Sequence, residues 1–177
     1  MSRTDPRYPI GRFVPPPVFD ADVIVSHREA IRALPDALRT AVDGLVERHL
    51  DTPYRSGGWT VRQVVHHLAD SHLNAYTRMR LGATEQAPTI RPYDEVAWAE
   101  LPDARESPIA PSVLLLDGLH ARWSSLLASF DAAMWQRTVI HPEHDLPLTL
   151  WTVAALYAWH GRHHVAHIRT LRDREGW

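Results

Sequence analysis

Along the 177 residues, apolar positions recur mainly at spacings of three and four, the mark of amphipathic helices, and four stretches carry the pattern strongly. In the first, Ile31, Leu34, Leu38, Val42 and Leu45 keep helical spacing, and Ser26 with Glu29 forms an S-x-x-E capping box, which predicts a start near Ser26. Pro35 predicts a kink or break there, because proline has no N–H and its ring collides with the carbonyl one turn back. The second stretch opens with the clearest start signal in the chain. Thr60 and Gln63 make a T-x-x-Q capping box, and Trp59 with Val64 stand where a hydrophobic staple would. Val61, Val64, Val65, Leu68, His72, Ala75, Tyr76 and Met79 share its apolar face, and Gly82 is its expected end. The third helix is expected over residues 112–130, with Leu116, Leu119, Trp123, Leu126 and Phe130 on one stripe. The fourth, residues 150–172 with Thr149 as cap, places Val153, Leu156, Tyr157, Ile168 and Leu171 on one face.

The segments between these helices are rich in proline and glycine. Gly44 and the DTPYRSGG run at 51–58 predict a loop. Residues 83–111 contain Pro88, Pro92, Pro102, Pro108 and Pro111, a long connection with room for one short helix capped by Asp94. Residues 136–149 read as a short hairpin or irregular loop. At the N-terminus five prolines alternate with Tyr8, Ile10, Phe13 and Phe19, an aromatic content that favours an extended, packed arm over a disordered tail. With no internal repeat and no strand pattern of consequence, the expectation is one all-α domain spanning residues 1–177. It is a four-helix bundle with long connections and an extended Pro-rich N-terminal arm.

Composition narrows the chemistry. A formal charge of −2 leaves no basic footprint for nucleic acid. No apolar run approaches the roughly 20 residues that span a bilayer, and the N-terminus lacks the apolar core of a signal peptide. A cytoplasmic enzyme or binding protein is the expectation. The chain has no cysteine, so a bound metal must sit on histidine or carboxylate. Histidine, with twelve copies against nineteen Lys+Arg, is the unusual residue.

Three histidines, His160, His164 and His167, fall on the apolar face of the fourth helix. His160 and His164 are one turn apart, and two imidazoles at that spacing can share one ion. His167 lies about 10 Å along the helix from His160, too far to join them, so a third ligand must come from another helix. Structural burial of each ring against a tyrosine, carboxylate or carbonyl is the competing reading, and for His163, off the centre of this face, it is preferred. His167 fits either a supporting role at the site or the core. On the second helix, periodicity places His72 at the centre of the apolar face, His67 on its flank and His66 toward solvent. Spacing alone therefore ranks His72 ahead of His67.

The segments GGWTVRQVVHHLADSH (57–72), IRPYDEVAW (90–98), LHARW (119–123) and WHGRHHVAHI (159–168), with DTPY upstream and YPIG in the arm, closely resemble the YfiT group of the DinB superfamily. The resemblance covers nearly the whole chain. It implies a four-helix bundle holding one divalent metal ion per chain, zinc or nickel, on three histidines: His67, which precedes Leu68, and the H-x-x-x-H pair His160 and His164. Many members carry a glutamine three residues after the last ligand, where this chain has His167. The resemblance further implies a metal-dependent hydrolase acting on a small molecule, and a homodimer. Other family members instead activate a low-molecular-weight thiol such as bacillithiol for S-transfer, and a non-catalytic metal-binding stress-response module is a third expectation.

The first shell of three neutral imidazoles suits either chemistry, since a metal lowers the pKa of bound water and also favours a thiolate. A zincin-type peptidase needs H-E-x-x-H, but Gly161 stands in place of the glutamate, which points to close helix approach instead. Asp70 is a candidate base, with a surface pairing to Arg62 as the alternative. Arg91, Tyr93 and Asp94 are candidates for the pocket mouth. No catalytic residue beyond the metal site is assigned. A fourth protein ligand, such as His72 or His167, would mark the ion as structural.

Overall fold

The computed structural model describes residues 5–143 and 147–177. Four long helices, α1 (Ala21–Val42), α3 (Val61–Thr84), α6 (Ala110–Ala128) and α8 (Leu150–Glu175), form the bundle. Between them lie the short helices α2 (Glu47–Leu50), α4 (Glu95–Ala99), α5 (Pro102–Glu106) and α7 (Ala132–Trp135) and the strands β1 (Thr138–Val139) and β2 (Leu148–Thr149). Both α1 and α3 pack against α6 and α8, so α1 and α3 stand diagonally opposite. Two apolar clusters fill the interior: one around Trp123, Met79 and Tyr157, the other around Leu38, Leu68 and Ile168. No helix among the described residues is long and apolar enough to cross a membrane.

Local signals explain most helix starts. Thr60 Oγ1 accepts from the Gln63 amide while Gln63 Oε1 accepts from the Thr60 amide, the reciprocal capping box. Thr149 accepts from the Thr152 amide at the head of α8, and Asp94 accepts from Ala97 at the head of α4. The start of α1 differs from expectation. Asp20 caps it, accepting from Asp22 and Val23, and the helix begins five residues before Ser26. Ser26 instead donates to the Val23 carbonyl inside the helix, and Glu29 pairs with Arg32. A carboxylate at the cap position satisfies two free amides, so it outcompetes the serine box.

Pro35 neither ends nor splits α1, which runs unbroken to Val42. Proline cannot donate to the Ile31 carbonyl one turn back; that carbonyl accepts instead from His120 Nδ1 on α6, at 2.6 Å. A buried side chain thus supplies the hydrogen bond that the helix lacks. Gly82 is likewise interior to α3 rather than its end. A Cβ there would lie 2.6 Å from Leu150 Cδ2 and 2.8 Å from Val139 Cγ1, so glycine lets β1 and α8 approach. Gly161 does the same for α1, with Leu34 methyls 3.0 Å from its hypothetical Cβ, as close helix approach requires.

The connections are more ordered than their composition suggests. The 83–111 segment holds α5 as well as α4, with Pro102 at the first turn where a missing N–H costs nothing. β1 and β2 form the short antiparallel hairpin expected over 136–149, whose residues 144–146 lie outside the described residues. Ile140 donates to Pro88 O and accepts from Ile90, tying the hairpin to the long connection. The N-terminal arm from residue 5 packs along α8: Phe13 meets Trp159, Phe19 meets Trp151, and Trp159 Nε1 donates to Gly11 O. Residues 1–4 of that arm lie outside the described residues.

Candidate metal centre

The first half of α3 is buried around nearly its whole circumference, because α2, α4 and α5 cover the side away from the bundle. His66, expected toward solvent, is therefore buried. Its Nδ1 lies 2.7 Å from Ser112 Oγ, and its Nε2 lies 3.2 Å from the Ser107 carbonyl. Arg62, also buried, pairs with Glu47 and Asp51 and donates to Ser107 O, so the pairing with Asp70 weighed against a base role does not form. Asp70 is half-buried beside Asp103, and burial with that second carboxylate pushes its pKa up to about 6.

One turn before that carboxylate, His67 points across to α8. Its Nε2 is 3.2 Å from His160 Nε2, and its ring centre is 4.8 Å from that of His164. His160 and His164 have ring centres 4.5 Å apart, as one helical turn dictates. One ring nitrogen from each of the three lies within 4.8 Å of the others. Among the described residues, this is the group of histidine and carboxylate side chains placed to hold an ion.

Burial holds all three imidazoles neutral: His67 is pushed down to about 4, and His160 and His164 fall well below the ordinary histidine value. Each therefore offers a lone pair at neutral pH. The residues fit a divalent ion on three counts. Two nitrogens on one tetrahedral zinc, each about 2.0–2.1 Å from it, stand roughly 3.3 Å apart, close to the 3.2 Å between the His67 and His160 nitrogens. His164 Nδ1 is buried with no protein partner, so no hydrogen bond through that nitrogen competes with the ring turning its lone pair to an ion. An all-imidazole donor set suits zinc, nickel, copper or iron rather than magnesium or calcium.

His72, ranked first on α3 by periodicity, does not join the trio. It is fully buried among Trp123, Tyr157, His120 and His160, with its Nε2 3.2 Å from His160 Nδ1. His167 stacks on Tyr54 with ring centres 3.9 Å apart, and its Nε2 donates to the Arg7 carbonyl of the arm at 3.3 Å. His163 stacks on Trp159 at 4.4 Å and faces Tyr8. Neither His72 nor His167 belongs to the group of side chains placed to hold an ion.

The trio opens on a cavity of about 350 Å³ walled by Trp59, Tyr157, Trp159 and Leu156, with Ser71, Arg78, Tyr93, Glu95, His141, Glu143 and His163 in its polar lining. Burial pushes Tyr93 up to about 12, so it stays a neutral phenol. Arg78 is held by the Arg91 carbonyl and the Tyr157 hydroxyl. Of the three loop candidates, Tyr93 reaches the cavity, Arg91 holds Arg78 through its backbone, and Asp94 is spent on capping α4. A second cavity of about 430 Å³, lined by Arg7, Arg55, Tyr54 and His167, shares Trp59, His163 and His164 with the first.

Known proteins resemble this chain along nearly its whole length. A protein of Geobacillus thermodenitrificans named "Putative metal-dependent hydrolase" is 52% identical over 178 aligned residues, covering 100% of both chains. One of the same name from Bacillus mycoides is 49% identical, covering 98% of this chain and 99% of its own. The solved structure of YfiT from Bacillus subtilis, described as "a probable metal-dependent hydrolase with an unusual four-helix bundle topology", superposes with a TM-score of 0.95 at 44% identity. That match covers 97% of this chain and 98% of the other. The family model of the DinB superfamily matches residues 30–168, and the chain belongs to that superfamily.

Proposed function

We propose that this protein is a hydrolase of small esters or amides that works through one zinc or nickel ion held by His67, His160 and His164. The observation that carries the reading is the convergence of three neutral imidazoles, from two helices, on the wall of a cavity of small-molecule size. A divalent ion held there would supply a water whose pKa is lowered to about 7 and a Lewis acid for a carbonyl oxygen. The names of the relatives support the same chemistry.

The chain's own residues do the rest. Neutral ligands leave the positive charge of the site uncompensated. Trp59 packs against His67, 4.7 Å between ring centres, and fixes that ring from the cavity wall. Trp159, Tyr157 and Leu156 give an apolar bed for the body of a substrate. Arg78, with its guanidinium fixed by two acceptors, places a positive charge on the cavity wall that favours a substrate bearing a carboxylate or other anionic group. Tyr93 keeps its proton and can donate to a substrate oxygen. Glu95 and Glu143 are the carboxylates within the cavity lining.

The test is a panel of small esters and amides offered to metal-stripped protein, then to protein reloaded with zinc or nickel, alongside a thiol-conjugation assay with bacillithiol and a bimane electrophile. Hydrolysis that returns with the ion supports the proposal. Thiol-dependent conjugation without hydrolysis rejects it in favour of S-transfer. We also propose a homodimer in the cytoplasm, in line with the family resemblance and with exposed Leu114 and Leu115 on α6. Sedimentation at the monomer mass, or recovery outside the cytoplasmic fraction, would contradict these points.

A further inference from the structure

His120 and His72, both fully buried, form a continuous chain with His160 at the cavity wall. His120 Nδ1 lies 2.6 Å from the Ile31 carbonyl, its Nε2 lies 3.1 Å from His72 Nδ1, and His72 Nε2 lies 3.2 Å from His160 Nδ1. The direction of these hydrogen bonds follows from their one fixed end. A carbonyl only accepts, so His120 must carry its proton on Nδ1. A neutral imidazole has one donor and one acceptor, so His120 Nε2 must accept, and His72 must donate from Nδ1. His72 Nε2 then accepts from His160 Nδ1–H, which leaves the lone pair of His160 on Nε2, the nitrogen 3.2 Å from His67 Nε2. The reverse order would set a lone pair against the Ile31 oxygen at 2.6 Å.

Proline 35 makes that end firm. In a helix the Ile31 carbonyl would accept from the amide of residue 35, and Pro35 has none. The carbonyl is therefore free for the histidine chain, on a helix diagonally opposite the one that carries His67.

We propose that His120 and His72 are positioning residues for the metal centre, relaying the polarity of the Ile31 carbonyl through three rings so that His160 presents its Nε2 lone pair to the ion. Metal-bound histidines commonly donate their other N–H to a carboxylate or carbonyl, which fixes tautomer and orientation. Here two neutral rings stand between ligand and carbonyl, so the tautomer is fixed without adding negative charge behind the ligand. His164 differs, since its Nδ1 has no protein partner. A second proton on His72 or His120 would set one N–H against another within the chain, so the contacts hold with one proton on each ring.

The inference rests on the metal-site reading, but its primary test does not need the ion. Long-range proton–nitrogen correlation spectra of the metal-free, ¹⁵N-histidine-labelled full chain report which nitrogen of each ring carries hydrogen. Free imidazole side chains favour Nε2–H. The relay predicts Nδ1–H at His120, His72 and His160 in the wild type, and Nε2–H at His120 or His72 would overturn it, whatever the protein's activity. In His120→Leu, which touches neither ligand nor ion, His160 should show both tautomers, and zinc affinity by chelator competition should fall on the order of 10-fold. His72→Leu should do the same, and His72→Gln, whose amide oxygen can take the His160 proton, should restore the Nδ1–H form with affinity close to wild type. A His160 tautomer and zinc affinity unchanged in folded His120→Leu would also overturn the relay, while leaving the three-histidine site standing.

Discussion

Asp70, one turn after His67, supplies a prediction whose magnitude follows from its surroundings. Burial, then the neighbouring Asp103 carboxylate, raises its pKa from 3.8 to about 6. For an acid whose folded pKa lies above the unfolded value, the protonated form is favoured by folding. The penalty is absent below pH 3.8, grows as pH rises, and is complete above 6. A shift of about two units is worth roughly 3 kcal/mol at 1.36 kcal/mol per unit. Because Asp70 is only half-buried, solvent screening reduces this to about 1–2 kcal/mol. Asp70→Asn removes the charge at nearly constant shape, so it should stabilise the metal-free protein by that amount at pH 7.5. By the same linkage, the gain should shrink by about half at pH 5. Urea unfolding of both proteins at the two pH values measures this, and the difference between them cancels effects common to both. A gain of equal size at both pH values, or a loss at pH 7.5, would refute the assignment of a strained carboxylate at this position.

Other consequences follow from packing and charge. Gly82→Ala should cost about 1–3 kcal/mol by overpacking, because its new methyl meets Leu150 and Val139 inside 3 Å; an unchanged unfolding midpoint would contradict the close approach. Below pH 6.5 the metal-free protein should lose stability steadily, since burial pushes His67 and His120 down to about 4 and an unfolded chain takes up their protons first. Each contributes a slope that steepens from about 0.7 toward about 1.4 kcal/mol per pH unit as pH falls from 6.5 to 5, and a flat profile over that range by denaturant titration would be incompatible with it. Deleting residues 1–19 removes the Phe13–Trp159 and Phe19–Trp151 contacts and should lower the melting temperature by several degrees; calorimetry showing none would mean that the arm does not hold to α8.

Much of this architecture is legible in the chain. The Thr60, Asp94 and Thr149 caps act as their spacing predicts, and the His160/His164 pair follows from one helical turn. What pattern could not decide is which α3 histidine completes the trio. Periodicity reports an angle around a helix, not what covers each side. Because α2, α4 and α5 bury the outer face of α3, a flank position such as His67 is as enclosed as a central one. His72, at the centre, is drawn to His120 instead. Family resemblance, not spacing, selected His67. Pro35 misled for a related reason: its cost depends on whether a side chain remote in sequence repairs the lost hydrogen bond, and His120, 85 residues further along, does so. The early start of α1 turned on Asp20, whose carboxylate competes with Ser26 in a way that capping rules rank but do not forbid.

The central claim is that His67, His160 and His164 together hold one catalytic ion. It is tested most directly by elemental analysis of wild type and His67→Ala after exposure to zinc and removal of excess, with hydrolysis measured on the same samples. The account predicts about one ion per chain and metal-dependent hydrolysis in the wild type, as a three-imidazole site requires. It predicts loss of both in a His67→Ala protein that remains folded. Near-stoichiometric metal in that variant, or hydrolysis that survives stripping of the wild type, would contradict it.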